Sequence, residues 1–132
     1  MINNYNLSLL LEGAEVFRQI ESRVTIEILN TISNIRAHPG IRIKYISSIA
    51  TAQYRSSCQA CEITGDASCK QCPIITDIDA ECRQMDSLWG KLYQMILSCN
   101  LNGVKLCCIR FQYAYLNAAV TLLEKQLPGD QL

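Results

Sequence analysis

Four cysteines in one short stretch have the type and spacing to hold a metal ion: Cys58, Cys61, Cys69 and Cys72 form C-x2-C-x7-C-x2-C. Each C-x-x-C puts two thiolates on one tight turn. The spacer between the pairs contains Gly65-Asp66, a turn that folds one pair back on the other and closes a tetrahedral four-sulfur shell. Zinc is the expected occupant. Because protein fills all four positions, no coordination position is left for a substrate, and the expected role is structural. Such a site contributes on the order of 10 kcal/mol to folding, against about 5–15 kcal/mol for the net stability of a whole domain.

Two other readings of the cluster stay open. Cys72-Pro73 resembles the Cys-Pro ending of ferredoxin ligand runs, although the long middle spacer departs from that iron–sulfur pattern. A pair of disulfides would fit a secreted chain. The N-terminal Met-Ile-Asn-Asn-Tyr-Asn lacks the basic start of a secretory signal, so a cytoplasmic or nuclear chain with reduced cysteines is expected. A secreted, disulfide-bonded helical protein of cytokine type, its signal removed, is the alternative, and the adjacent Cys107-Cys108 would suit it. The other cysteines, Cys82, Cys99, Cys107 and Cys108, do not make a second site. Cys82 and Cys99 would stand roughly 25 Å apart on one helix at 1.5 Å per residue. Core packing is the expected use of these thiols, with Cys82 a substitute ligand only if the loop folds differently.

Catalysis has little to draw on. His38 is the single histidine and precedes Pro39, and none of the six glycines forms a phosphate-cradling loop. The chain reads as a non-enzyme. Formal net charge is zero, which leaves no whole-molecule field to draw in nucleic acid or an acidic membrane. Locally the balance differs. Residues 28–61 carry Arg36, Arg42, Lys44 and Arg55 and no acid, a net +4, whereas residues 62–86 carry a net −4. The basic segment is the candidate nucleic-acid surface. Mutual compensation of the two segments, or plain solvation, is the simpler reading. No uncharged stretch reaches the ~18 apolar residues needed to cross a bilayer, so no membrane partner is expected.

The elements that must position these residues form a single all-α domain over 1–132, as length and composition imply. Leu10, Ala14, Phe17, Ile20, Val24, Ile28, Ile32 and Ile35 step by three and four, predicting a long helix over 7–36 that ends at His38-Pro39-Gly40. Its weak point is the β-branched run Val24-Thr25-Ile26. A short helix over 41–56 leads into the metal loop, 57–73. Then Ile78, Cys82, Met85, Trp89, Leu92, Ile96 and Cys99 make a heptad seam on a helix over 76–100, and Gly103 is placed to take the left-handed turn. Leu106, Ile109, Tyr113, Leu116, Val120, Leu123 and Leu127 make a second seam on a helix over 104–127. Two seams joined by a short turn predict an antiparallel hairpin in which Trp89 packs near Leu116 or Val120.

Together these features predict a zinc-stabilised regulatory module that acts by binding, through helix faces left over once the core is made. The expected partner is a protein, including a second copy of the chain, with nucleic acid at Arg36, Arg42, Lys44 and Arg55 as the alternative. In architecture, a compact C-x2-C-x7-C-x2-C cluster beside heptad helices resembles the small cysteine-rich regulatory proteins of some plant RNA viruses. Those proteins are commonly more basic than this chain. The resemblance implies a nucleic-acid-binding regulator.

Overall fold

The computed structural model describes residues 4–34, 45–50 and 87–126. Among them the protein is all-α, with four helices, one further helical turn and no strand: α1 (Asn4–Arg23), α2 (Ile26–Ser33), α3 (Leu88–Leu97) and α4 (Leu101–Gln126). The four cysteines of the expected metal loop, the basic residues Arg36, Arg42, Lys44 and Arg55, and the seam positions Ile78, Cys82, Met85 and Leu127 lie outside the described residues.

The helix expected over 7–36 is in fact two. Leu10, Ala14, Phe17, Ile20 and Val24 are buried, as their spacing requires. At Thr25 the backbone becomes extended (φ −126°, ψ 164°) and the hydroxyl accepts the Ile28 N–H at 3.3 Å, capping α2. The β-branched run explains the break. A threonine whose side chain bonds the backbone three residues on is more stable as a cap than inside a helix. α2 then turns Leu29 and Ile32 into the core.

The second half of the chain shows a similar correction. Ser87 is extended (φ −68°, ψ 162°) and its hydroxyl accepts the Gly90 N–H at 3.0 Å, so α3 starts from its own cap instead of continuing a helix from residue 76. After α3, Cys99 rather than Gly103 takes the left-handed conformation (φ 51°). Asn100 then caps α4, its side-chain oxygen accepting the Gly103 N–H at 2.9 Å. Gly103 falls inside the first turn of α4, where a side chain would collide with Met95.

Three contacts give the direction of α1 on α4. Gly13 faces Tyr115, Phe17 stacks on Phe111 with ring centroids 4.1 Å apart, and Lys105 donates to the Glu21 carbonyl at 2.7 Å. As residue numbers rise on one helix they fall on the other, so the pair is antiparallel. α3 also runs back along α4, with Met95 beside Gly103 and Trp89 beside Phe111. Lys105 lies at the C-terminal end of α1, where a cation complements the unpaired carbonyls and the helix dipole. A Cβ at Gly13 would fall within 2.5 Å of the Tyr115 ring, so α1 reaches this separation only because that position has no side chain. The helical turn at 45–47 adds Ile46 to the core, and Arg23 donates to the Ile49 carbonyl at 3.3 Å.

Candidate functional site

α4 has apolar residues on two opposite sides, and they have different fates. The side that packs on α1 and α3 consists of Val104, Cys107, Cys108, Phe111, Ala114, Tyr115 and Ala119, all buried. The heptad seam expected to close the hairpin lies on the other side. Leu106 is 51% exposed, Tyr113 65%, Leu116 44%, Val120 52% and Leu123 39%. Ile109 is half-buried. The expectation that this seam packs inward is therefore overturned.

The physical reason is side-chain size. The inner side alternates large rings with alanine and cysteine, so α1 can approach closely and interleave Phe17 with Phe111 and Tyr115. The outer side offers leucine, tyrosine and valine at nearly every step and no small residue to admit a close neighbour. Trp89 accordingly does not meet Leu116 or Val120. It lies edge-on to Phe111 (centroids 4.6 Å, 60°) and to Phe17 (5.6 Å, 66°), half-buried at the rim of an aromatic cluster. The alternation of rings and small residues at 107–119 was the signal available in sequence. Regular heptad spacing masked it.

The thiols described are structural. Cys107 and Cys108 are buried, and burial pushes both thiols up, that of Cys108 to about 12. A thiol held as high as that of Cys108 carries almost no thiolate at neutral pH and is a poor nucleophile. Cys99 is half-buried at the α3–α4 turn, its thiol 3.1 Å from the Ser33 hydroxyl and 3.8 Å from the Leu29 carbonyl, and it ties α2 to the turn. Cys99, Cys107 and Cys108 are all free. Among the described residues no group of three or more His, Cys, Asp or Glu side chains could hold a metal. Cys58, Cys61, Cys69 and Cys72, whose spacing in sequence led to the zinc expectation, lie outside the described residues.

Polar groups flank the outer stripe of α4. Arg110, Asn117 and Glu124, seven residues apart, are exposed along one edge. Lys105 and Gln112 lie along the other edge, half-buried, in line with the buried Ala119 of the inner side. The Gln112 amide nitrogen is buried without a hydrogen-bond partner. By length and composition α4 is also long and apolar enough to cross a membrane, but a third of its most apolar window is buried inside the protein. That fraction is the side facing α1 and α3. Comparison with protein families, with curated proteins and with solved structures finds no match for this chain.

Proposed function

We propose that the protein is a non-enzymatic, zinc-stabilised helical module, cytoplasmic or nuclear, that acts by binding protein, including its own copies. One observation carries this reading. A seam of Leu106, Tyr113, Leu116, Val120 and Leu123 lies exposed on the side of α4 opposite its buried face. An apolar stripe of this length at heptad spacing is unusual for a free surface, and such stripes mark places where another helix docks. The zinc part rests on the spacing of Cys58, Cys61, Cys69 and Cys72. The nucleic-acid alternative rests on Arg36, Arg42, Lys44 and Arg55 within a neutral chain, which is weaker ground.

The test separates the two sides of α4. Leu116→Glu with Val120→Glu should leave the helical circular dichroism and the unfolding midpoint of dilute protein almost unchanged, and abolish association measured by sedimentation. Loss of the fold with these substitutions would mean that the outer side is part of the core, and the reading would fail. Roughly one zinc per chain is expected in protein purified without chelator. Cys69→Ser or Cys72→Ser should release it, whereas Cys107→Ser and Cys108→Ser should retain it. Metal-free protein without free thiols would favour the disulfide-bonded secreted alternative.

A further inference from the structure

We infer that the outer stripe of α4 docks on the same stripe of a second copy, antiparallel, in a register that places Arg110 opposite Glu124 of the partner. The inference rests on the binding reading above and adds which partner, which direction and which register. It follows from the charges beside the stripe. Leu106, Tyr113 and Val120 stand at one core position of the heptad, and Ile109, Leu116 and Leu123 at the other. The residues just after the second set are Arg110, Asn117 and Glu124, exposed along one edge. Those just before the first set are Lys105, Gln112 and Ala119, along the other.

Pairing direction decides which edges meet. In a parallel pair the two different edges face each other, offset by five residues, so Arg110 and Glu124 would meet an edge already engaged with the rest of the chain, where Lys105 is bonded to the Glu21 carbonyl and Ala119 is buried. Neither charge then gains an opposite partner, and electrostatic complementarity is lost. In an antiparallel pair each edge meets its own copy. With the two-fold axis near residue 118, Arg110 faces the partner's Glu124 and Glu124 faces its Arg110, while Asn117 meets the same residue of the other chain. The apolar layers close in the same register, Tyr113 on Leu123, Leu116 on Val120, and the reverse of each. Opposed helix dipoles favour this direction too.

Arg110 and Glu124 are exposed, so their substitution should not disturb the fold. Sedimentation of wild type, Arg110→Glu, Glu124→Arg, the equimolar mixture of the two, and the double variant reads the pairing directly. Each single variant should associate about tenfold more weakly, because two favourable contacts become two unfavourable ones. The mixture and the double variant should both recover wild-type association, since each restores opposite charges at both contacts. Asn117→Cys treated with a short bismaleimide should give a peptide linked between the two copies of position 117. Leu106→Cys, whose two copies would stand roughly 36 Å apart along the axis in this register at 1.5 Å per residue, should give no such self-link. The opposite labelling pattern, or no recovery in the mixture, would overturn the antiparallel register while a loss of association in Leu116→Glu left the binding reading intact. A dimer indifferent to Leu116→Glu would overturn both. So would a chain that is monomeric at every concentration, with the stripe covered by its own residues 51–86. Monomers that bind phosphatidylcholine–phosphatidylserine vesicles through the stripe would make a lipid surface the occupant and overturn the dimer.

Discussion

The inner and outer sides of α4 are equally apolar at a glance, yet one is core and the other is surface. Tyr115 is fully buried, and Tyr113, two residues away, is 65% exposed. What separates them is the facing partner. Tyr115 lies over Gly13, where the missing side chain makes room for its ring, and its neighbours Ala114 and Ala119 let the helices close. Tyr113 stands among leucine and valine with no small residue opposite. Heptad regularity therefore reports that a helix can pair. Size alternation reports which side is already paired.

Truncation should expose this contrast most strongly. Tyr115→Ala is expected to destabilise the protein by about 3–5 kcal/mol, and Tyr113→Ala by less than about 0.5 kcal/mol in dilute protein, both read from chemical unfolding. Similar values for the two would erase the distinction between the sides. Gly13→Ala sharpens it from the α1 side. Better helix propensity would favour alanine by about 1 kcal/mol on an open surface, but the added methyl falls within 2.5 Å of the buried Tyr115 ring. Overpacking of about 1–3 kcal/mol should win, giving a net loss of stability. A stabilised Gly13→Ala would mean that α1 and α4 are further apart than described.

Much of the all-α architecture could be read from sequence, and most of the failures share one cause. The apolar steps on α1 located its buried face from Leu10 to Val24, and Leu92 and Ile96 on α3 were equally clear. The β-branched run Val24-Thr25-Ile26 marked a weak point without giving the break at Thr25, and the cap at Ser87 was not read at all, because periodicity continues through a cap while the backbone does not. A hydroxyl residue that bonds its own following turn starts a new helix there, even where the apolar pattern runs on unbroken. Gly13 was passed over because its role exists only opposite Tyr115. The second seam was the larger miss, since both sides of α4 satisfy a helical period and the more regular one was taken for the core. The expected metal ligands and basic residues fall outside the described residues, so the structure bears on neither.

Two titrations complete the contrast at smaller scale. The Cys108 thiol is raised by burial to about 12 from an ordinary 9.0. Its folded value lies above its unfolded one, so this stability is fully present below about 9 and is lost as pH rises toward 12. Wild type should lose on the order of 2 kcal/mol more than Cys108→Ala on going from neutral pH to the upper part of that window. Equal losses would mean that the thiol is reached by water. On the exposed side of α1, hydrogen bonds from Arg18, at 2.7 Å, and Gln19 hold the Glu15 carboxyl down to about 2 from 4.5. Here the folded value is depressed, so the contribution is present above about 4.5 and fades as pH falls toward 2. Glu15→Gln should cost no more than about 0.5 kcal/mol at neutral pH, because the pair is solvent-screened, and the difference should vanish in acid.

The two tyrosines of α4 offer the most direct test of the division between a folding side and a binding side. Nitration by tetranitromethane, mapped by mass spectrometry over a wide range of protein concentration, reads both at once. Tyr115 should stay unmodified throughout, whereas Tyr113 should react readily in dilute protein and become protected as the protein is concentrated. Protection of Tyr113 at every dilution, or modification of Tyr115 as fast as Tyr113, would contradict it.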